Sequence, residues 1–273
     1  MIPSSLKERM RIIWAITKKD LKIAFRFPKN FIAVRLIEPL RLFVLFGLVY
    51  QSFFVMTNNR ALGNWNRGNY VSILLIGAIF YTTFSYAYLR FRGSFLNEKY
   101  WRTIQIFLTA PVSKLDFLIA SSLAIVVELS IPIFCYLTYL EIIHPVPLSS
   151  LLLILGSLYL MLFGVLGLSL MQGAFAISNE NYLFIFDYFY AAWLFFSCFY
   201  YTEGVLPVPL RFLTRFNPIY HALEISRSTI FHHLSFIQTI GSAGYVLLFS
   251  VTAPYLGAVF FRKVVRELGV RGF

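Results

Sequence analysis

The chain has 273 residues and a formal net charge of +12, yet only 13% of its residues are charged while 59% are hydrophobic, with 30 Phe and 17 Tyr. Soluble domains carry about 25% charged residues, so this chain has too little polar surface to clothe a globule in water. Its Lys and Arg flank apolar segments instead of clustering on a solvated unit, which excludes nucleic acid as a partner.

About 20 apolar residues in a helix cross a hydrocarbon core of about 30 Å. On that scale the sequence predicts a single all-α membrane domain over 1–273 with six transmembrane helices. Residues 1–30 come first, where Ile12, Ile13, Ile16, Ile23 and Phe27 alternate with Lys18, Lys19, Lys22 and Arg26. That pattern predicts a basic amphipathic helix on the membrane surface, broken or bent at Pro28. No uninterrupted apolar region marks a cleavable signal there.

Spans are predicted at 34–56 and 70–89, joined by a loop rich in Asn and Gly. The polar stretch 90–114 then carries an apolar stripe of Trp101, Ile104, Phe107 and Leu108 closing at Pro111, which predicts a short amphipathic helix at 97–110. A third span, 115–140, ends near His144-Pro145-Val146-Pro147. The fourth, 148–176, is long and holds Gly156, Gly164, Gly167 and Gly173, residues that allow close helix approach. The turn Ser178-Asn179-Glu180-Asn181 leads into an aromatic fifth span at 182–201. Residues 202–235, broken by Gly204, Pro207, Pro209 and Pro218, are too interrupted for one helix and too apolar for a solvated loop. The sixth span, 236–261, precedes a basic tail.

Loops that carry the excess of Lys and Arg stay cytoplasmic. Segments 1–31, 90–114, 178–182 and 262–273 hold seventeen such residues against five on the opposite loops, so both termini are expected in the cytoplasm.

No P-loop G-x-x-x-x-G-K-[ST] is present to cradle a nucleotide, nor H-E-x-x-H or G-x-S-x-G for hydrolysis. Cys135 and Cys198 lie in apolar runs without metal-ligand spacing, and the adjacent His232 and His233 diverge by about 100° on a helix. No catalytic, cofactor or metal site is therefore expected in this chain.

Ionisable residues inside a span are costly and mark candidate sites. Arg35, Glu38 and Arg41, three residues apart, share one helical face. They can pair as Arg-Glu-Arg and snorkel, or they can meet a cytoplasmic partner or anionic headgroups. Glu128 lies mid-span, where a bare carboxylate costs roughly 3 kcal/mol, and must face protein or a wet cavity. A proton relay would need acidic or His partners at similar depth, whereas Asp187 and Glu203 lie nearer the surfaces, so packing or cavity lining is the preferred role. The glycines and the aromatic run 184–201 serve bundle packing, a greasy substrate path, or both.

Two stretches carry a resemblance. Glu98-Lys99-Tyr100-Trp101-Arg102-Thr103-Ile104 through Phe107-Leu108 to Pro111-Val112-Ser113 resembles the cytoplasmic segment after the second span of ABC-2 type permeases, with Arg102 where the family carries Gly. Leu206-Pro207, Pro209, Asn217-Pro218 and Ala222-Leu223-Glu224 to Arg227 resemble the family's re-entrant element before the last span, with Ser197-Cys198 where the family often carries Ser-Gly. The drug and lipo-oligosaccharide exporter branch fits best. The resemblance implies a coupling helix in which Glu98, Tyr100, Trp101, Arg102, Thr103, Phe107 and Pro111 dock on an ATPase subunit. It also implies an outer gate built by Pro207, Pro209, Asn217, Pro218, Glu224 and Arg227. ATP and Mg would belong to the partner: the resemblance implies two ABC ATPase subunits beneath a homodimer of permeases in the cytoplasmic membrane. An ion-gradient carrier or channel would want more midplane charges or repeated halves, and none is evident. A lipid-modifying enzyme would need a constellation that Glu128, Asp187, Glu203 and His221 do not supply by position.

Overall fold

Long apolar runs fold as helices because a helix satisfies every backbone N–H and C=O within itself, which hydrocarbon demands. The computed structural model describes residues 6–58, 61, 65–102, 112–231 and 236–271, and these are overwhelmingly helical. In order they form α1 Leu6–Phe25, α2 Pro28–Ile32, a π turn Ala33–Ile37, α3 Glu38–Met56, α4 Tyr70–Tyr100, α5 Lys114–Ile143 and α6 Leu148–Ser178. A 3-10 turn Glu180–Tyr182 precedes α7 Leu183–Phe196, and another, Glu203–Val205, precedes α8 Val208–Arg215, α9 Pro218–Phe231 and α10 Phe236–Arg271.

Among the described residues, four helices are long and apolar enough to cross a membrane: Tyr70–Tyr100, Ile119–Ile143, Leu148–Ser178 and Phe236–Val264. Of the other two predicted spans, α3 has 19 residues, about 28 Å, and sits at the margin of a core of about 30 Å. Helix α7 has only 14 residues, about 21 Å, because its last turn gives way to Cys198 in the left-handed region at φ 55°. Two boundaries also differ from expectation. Pro28 begins a new short helix instead of merely ending the first, as suits proline at a helix N-terminus. The second span does not stop at Leu89: α4 runs on through Tyr100, so residues 97–100 of the expected coupling helix belong to it.

Helix α6 is the centre of the bundle, packed against α4, α9 and α10. Its contact with α10 is a backbone crossing, since a Cβ on Gly167 would lie 2.2 Å from the Pro254 nitrogen, and one on Gly257 would lie 2.2 Å from the Gly167 oxygen. Gly164 and Gly173 admit the rings of Phe249 and Phe95, whereas nothing approaches Gly156, which departs from its expected packing role. These contacts put α6 and α10 in the same direction. Helix α7 and the segment to Phe231 therefore return the chain along α4, where Tyr190 meets Tyr88 at 5.0 Å and Phe199 meets Tyr81 at 5.9 Å. Below, the end of the bundle beside α1 is the near end, and the end beside α8 and α9 is the far end.

Candidate functional site

Helix α1 is amphipathic, and it docks by a few specific contacts. Ile13 and Thr17 are buried, and Thr17 Oγ1 donates to the Ala120 carbonyl at 3.1 Å. Arg9 Nη2 reaches Asp116 Oδ1 at 2.6 Å on α5, and Lys19 Nζ reaches Glu98 Oε1 at 3.4 Å on α4. The helix thus grips both flanks of segment 103–111. Thr103, Phe107 and Pro111 of the expected docking set lie outside the described residues, as do His232 and His233.

Glu98, Tyr100, Trp101 and Arg102 are placed. Tyr100 and Trp101 are each 66% exposed, although the Tyr100 hydroxyl donates to Glu180 Oε2 at 3.0 Å. Lys99 pairs with Glu180 at 2.9 Å, tying the end of α4 to the turn after α6. Arg102, at the position where the resembling segment has Gly, adopts φ 59° immediately after the last helical turn. Only glycine takes that conformation without a Cβ penalty. Arg102→Gly is therefore expected to stabilise the chain by about 1 kcal/mol, read as a raised thermal unfolding midpoint.

Arg9 beside Asp116 holds that carboxyl below the usual carboxylate range, with the Ser113 hydroxyl adding to the effect, and Lys99 does the same to Glu180. Asp116 precedes the apolar span that begins at Ile119. A depressed pKa contributes stability that is fully present above the unfolded values, about 3.9 for Asp and about 4.3 for Glu, and lost as pH falls through the folded ones. Proteolysis within α1 should therefore stay flat from about pH 5 to 8 and rise below about pH 4. Asp116→Asn should raise it already at neutral pH, modestly because Arg9 is half-exposed and screened by solvent.

A third ion pair of α1 leads inward. Asp20 Oδ2 accepts from Arg90 Nη2 at 2.9 Å, and Arg90 Nη1 lies 3.3 Å from Glu128 Oε1. Glu128 is wholly buried. The Tyr86 hydroxyl accepts from Arg90 at 2.7 Å and donates to Glu128. Arg35 Nη2 lies 3.6 Å from Glu128 Oε2, its guanidinium stacked 3.4 Å over the Tyr86 ring. A chain of alternating charge, Asp20–Arg90–Glu128–Arg35, thus joins α1, α4, α5 and the π turn.

This network corrects one expectation. Arg35, Glu38 and Arg41 do not pair with one another among the described residues. The π turn at 33–37 breaks their common face, so Arg35 is largely buried while Glu38 and Arg41 stay exposed. Glu128 faces protein, the packing role among those preferred for it, while its partners Arg35, Tyr86 and Arg90 line a cavity. That cavity, about 570 Å³, lies between the segment from α1 to Pro39 and the C-terminal part of α4, with Tyr190 of α7 closing one side.

At the far end the proline-rich stretch is ordered by capping. Pro207 stands at the N-cap of α8 and Pro209 in its first turn, where a missing N–H costs nothing. The Asn217 side chain accepts from Ile219 N at 3.0 Å, capping α9, with Pro218 as the first helical residue. Asn217 Nδ2 also donates to Ser197 Oγ at 2.9 Å. Arg227, 3% exposed, pairs with Glu224 at 2.9 Å and donates to the Cys198 and Phe199 carbonyls, each at 2.9 Å. Cys198 is the second position where the resembling pattern has Gly, and it too has a positive φ. The turn is clamped from the other side by Gly77, whose Cβ would stand 1.9 Å from the Phe199 oxygen.

The carboxylates and histidine that an enzyme would have to unite stay apart. Asp187 pairs with Arg92, Glu203 accepts from Tyr220 at 3.1 Å, and His221 meets Ser242 at 3.1 Å. No group of three or more His, Cys, Asp and Glu converges among the described residues.

The family model of the ABC-2 type transporter matches residues 11–231, from α1 to the end of α9. This chain belongs to the ABC-2 type transporter family. None of the curated proteins compared with it matches its sequence. As an ABC-2 permease it is a membrane transport component, and the family implies partnership with ABC ATPase subunits. Sequence reasoning about this permease missed Asp20, Tyr86 and Arg90. The available signal was the helical continuation past Leu89, which puts Arg90 one turn from Tyr86 on the same helix.

Proposed function

We propose that this permease is the membrane subunit of an ATP-driven exporter that moves an amphipathic substrate outward across the cytoplasmic membrane. The observation that carries the proposal is the grip of α1 on both flanks of segment 103–111, together with its third ion pair, into the buried charge chain. An ATPase docking at Glu98, Tyr100, Trp101, Arg102, Thr103, Phe107 and Pro111 would press on a stretch whose flanks, at Glu98 and Asp116, are held by α1. Asp20 would then pass that displacement to Arg90 and Glu128 inside the bundle.

In this account the near end, with both termini, is cytoplasmic, a reading supported by the seventeen-to-five distribution of Lys and Arg. Helices α3 and α7 complete six spans. The far-end element, with Pro207, Pro209, Asn217, Pro218, Glu224 and Arg227, is the outer gate. Two copies of the permease pair over two ATPase subunits, which bind ATP and Mg. Non-helical backbone such as residues 197–202 is tolerated at membrane depth where protein covers it.

Charge reversal tests the docking surface. In the assembled complex, Glu98→Lys and Arg102→Glu should leave membrane insertion intact and either weaken ATPase association or let ATP hydrolysis run without transport. Transport at the parent rate by both variants would contradict the assignment.

A further inference from the structure

The cavity beside the buried charge chain has a charge balance of its own. Three basic side chains line it, and each already has an internal counter-ion: Lys19 with Glu98, Arg90 with Asp20 and Glu128, and Arg35 with Glu128. One lining carboxylate is left over. Glu38 makes no ion pair or hydrogen bond among the described residues, and it caps no helix, since the π turn runs directly into α3.

The walls around that carboxylate are aromatic. Tyr81, Tyr86, Tyr190 and Trp101 line the same space, and the face of Tyr86 already carries a cation, the Arg35 guanidinium at 3.4 Å. Ring contacts continue from the cavity toward the far end: Tyr190 to Phe84 at 5.6 Å, Phe84 to Phe199 at 6.0 Å, and Tyr81 to Tyr200 at 5.6 Å. Aromatic faces attract cations and repel anions, most strongly where water is scarce. A volume of about 570 Å³ falls within the range of small-molecule sites.

We infer that this cavity binds a lipophilic organic cation, with Glu38 as counter-ion and Tyr81 and Tyr190 as flanking aromatic faces. As a binding site it needs no ATPase; as the site where substrate is taken up it rests on the proposed export function.

The test uses tetraphenylphosphonium and tetraphenylborate, which share size and shape and differ in the sign of charge. Binding of each is measured by equilibrium dialysis on the full-length chain in detergent, against protein-free detergent. Saturable tetraphenylphosphonium binding is expected, weakened roughly tenfold by Glu38→Gln and severalfold by Tyr190→Leu, with tetraphenylborate binding not weakened by Glu38→Gln. If Glu38→Gln is not monodisperse, Glu38→Asp and Tyr190→Leu carry the comparison. Equal tetraphenylphosphonium affinity in parent and variants, or saturable binding of the borate alone, would overturn the site. Saturable cation binding without ATP-driven flux overturns the exporter and leaves the site standing. ATP-driven flux of another solute without cation binding does the reverse.

Discussion

Replacing Arg90 with Met is expected to destabilise the folded chain by about 3–5 kcal/mol, the cost of stripping a buried carboxylate of its counter-ion. Met approximates the volume of the Arg stem, so the loss is chiefly electrostatic. Two acids depend on Arg90: Glu128, whose side chain is fully buried, and Asp20, at 13% side-chain exposure. Arg35 remains, yet at 3.6 Å it is the looser partner of Glu128 and is held mainly by the Tyr86 ring. Adding Glu128→Gln should recover part of the loss, because a neutral amide needs no counter-ion. Thermal unfolding in detergent, followed by Trp fluorescence, reads both effects. An unchanged midpoint for Arg90→Met, or a further fall in the double variant, would show that the charges act independently.

Arg227→Met is expected to cost a similar amount, about 3–5 kcal/mol, and at the opposite end of the bundle. It leaves the Cys198 and Phe199 carbonyls without the Arg227 donor and takes one ion-pair partner from Glu224, all beside a turn that already holds a Cys in the left-handed region. The turn should open before the bundle does. Cys198 reports it directly, being buried while Cys135 is exposed. In a Cys135→Ser background, maleimide labelling of Cys198 should be slow in the parent and fast in Arg227→Met. Slow labelling in both would mean that the turn is held by Gly77 and Asn217 alone.

Much of the helical layout was legible in the sequence because hydrocarbon leaves the backbone few options. Runs such as 148–176 can only be helices, and the structure extends that one by two residues to Ser178. The far-end prolines were legible as special, but their work was not. That Asn217-Pro218 is an N-cap followed by the first helical residue needs the side chain's second bond to Ser197 to explain its place in the fold. What the sequence hides is anything set by contact between distant helices. Glu128 reads as a lone mid-span acid until α4 delivers Arg90 and the π turn delivers Arg35. The Arg35–Glu38–Arg41 spacing reads as a shared face only on an unbroken α-helix, and no local signal announces five residues of π geometry. Arg102 and Cys198 show the converse. Each stands where the resembling pattern carries Gly, and each has positive φ, so the backbone shape persists under a side chain that strains it.

Transport by this ABC-2 permease is proposed to be driven by ATP hydrolysis in a partner. Substrate flux into inside-out proteoliposomes holding the permease and its co-purifying ATPase tests it most directly. Uptake should require ATP, stop when the P-loop Lys of the ATPase is replaced by Ala, and persist when ion gradients are collapsed. Uptake that needs only an ion gradient, with the permease alone, would contradict it.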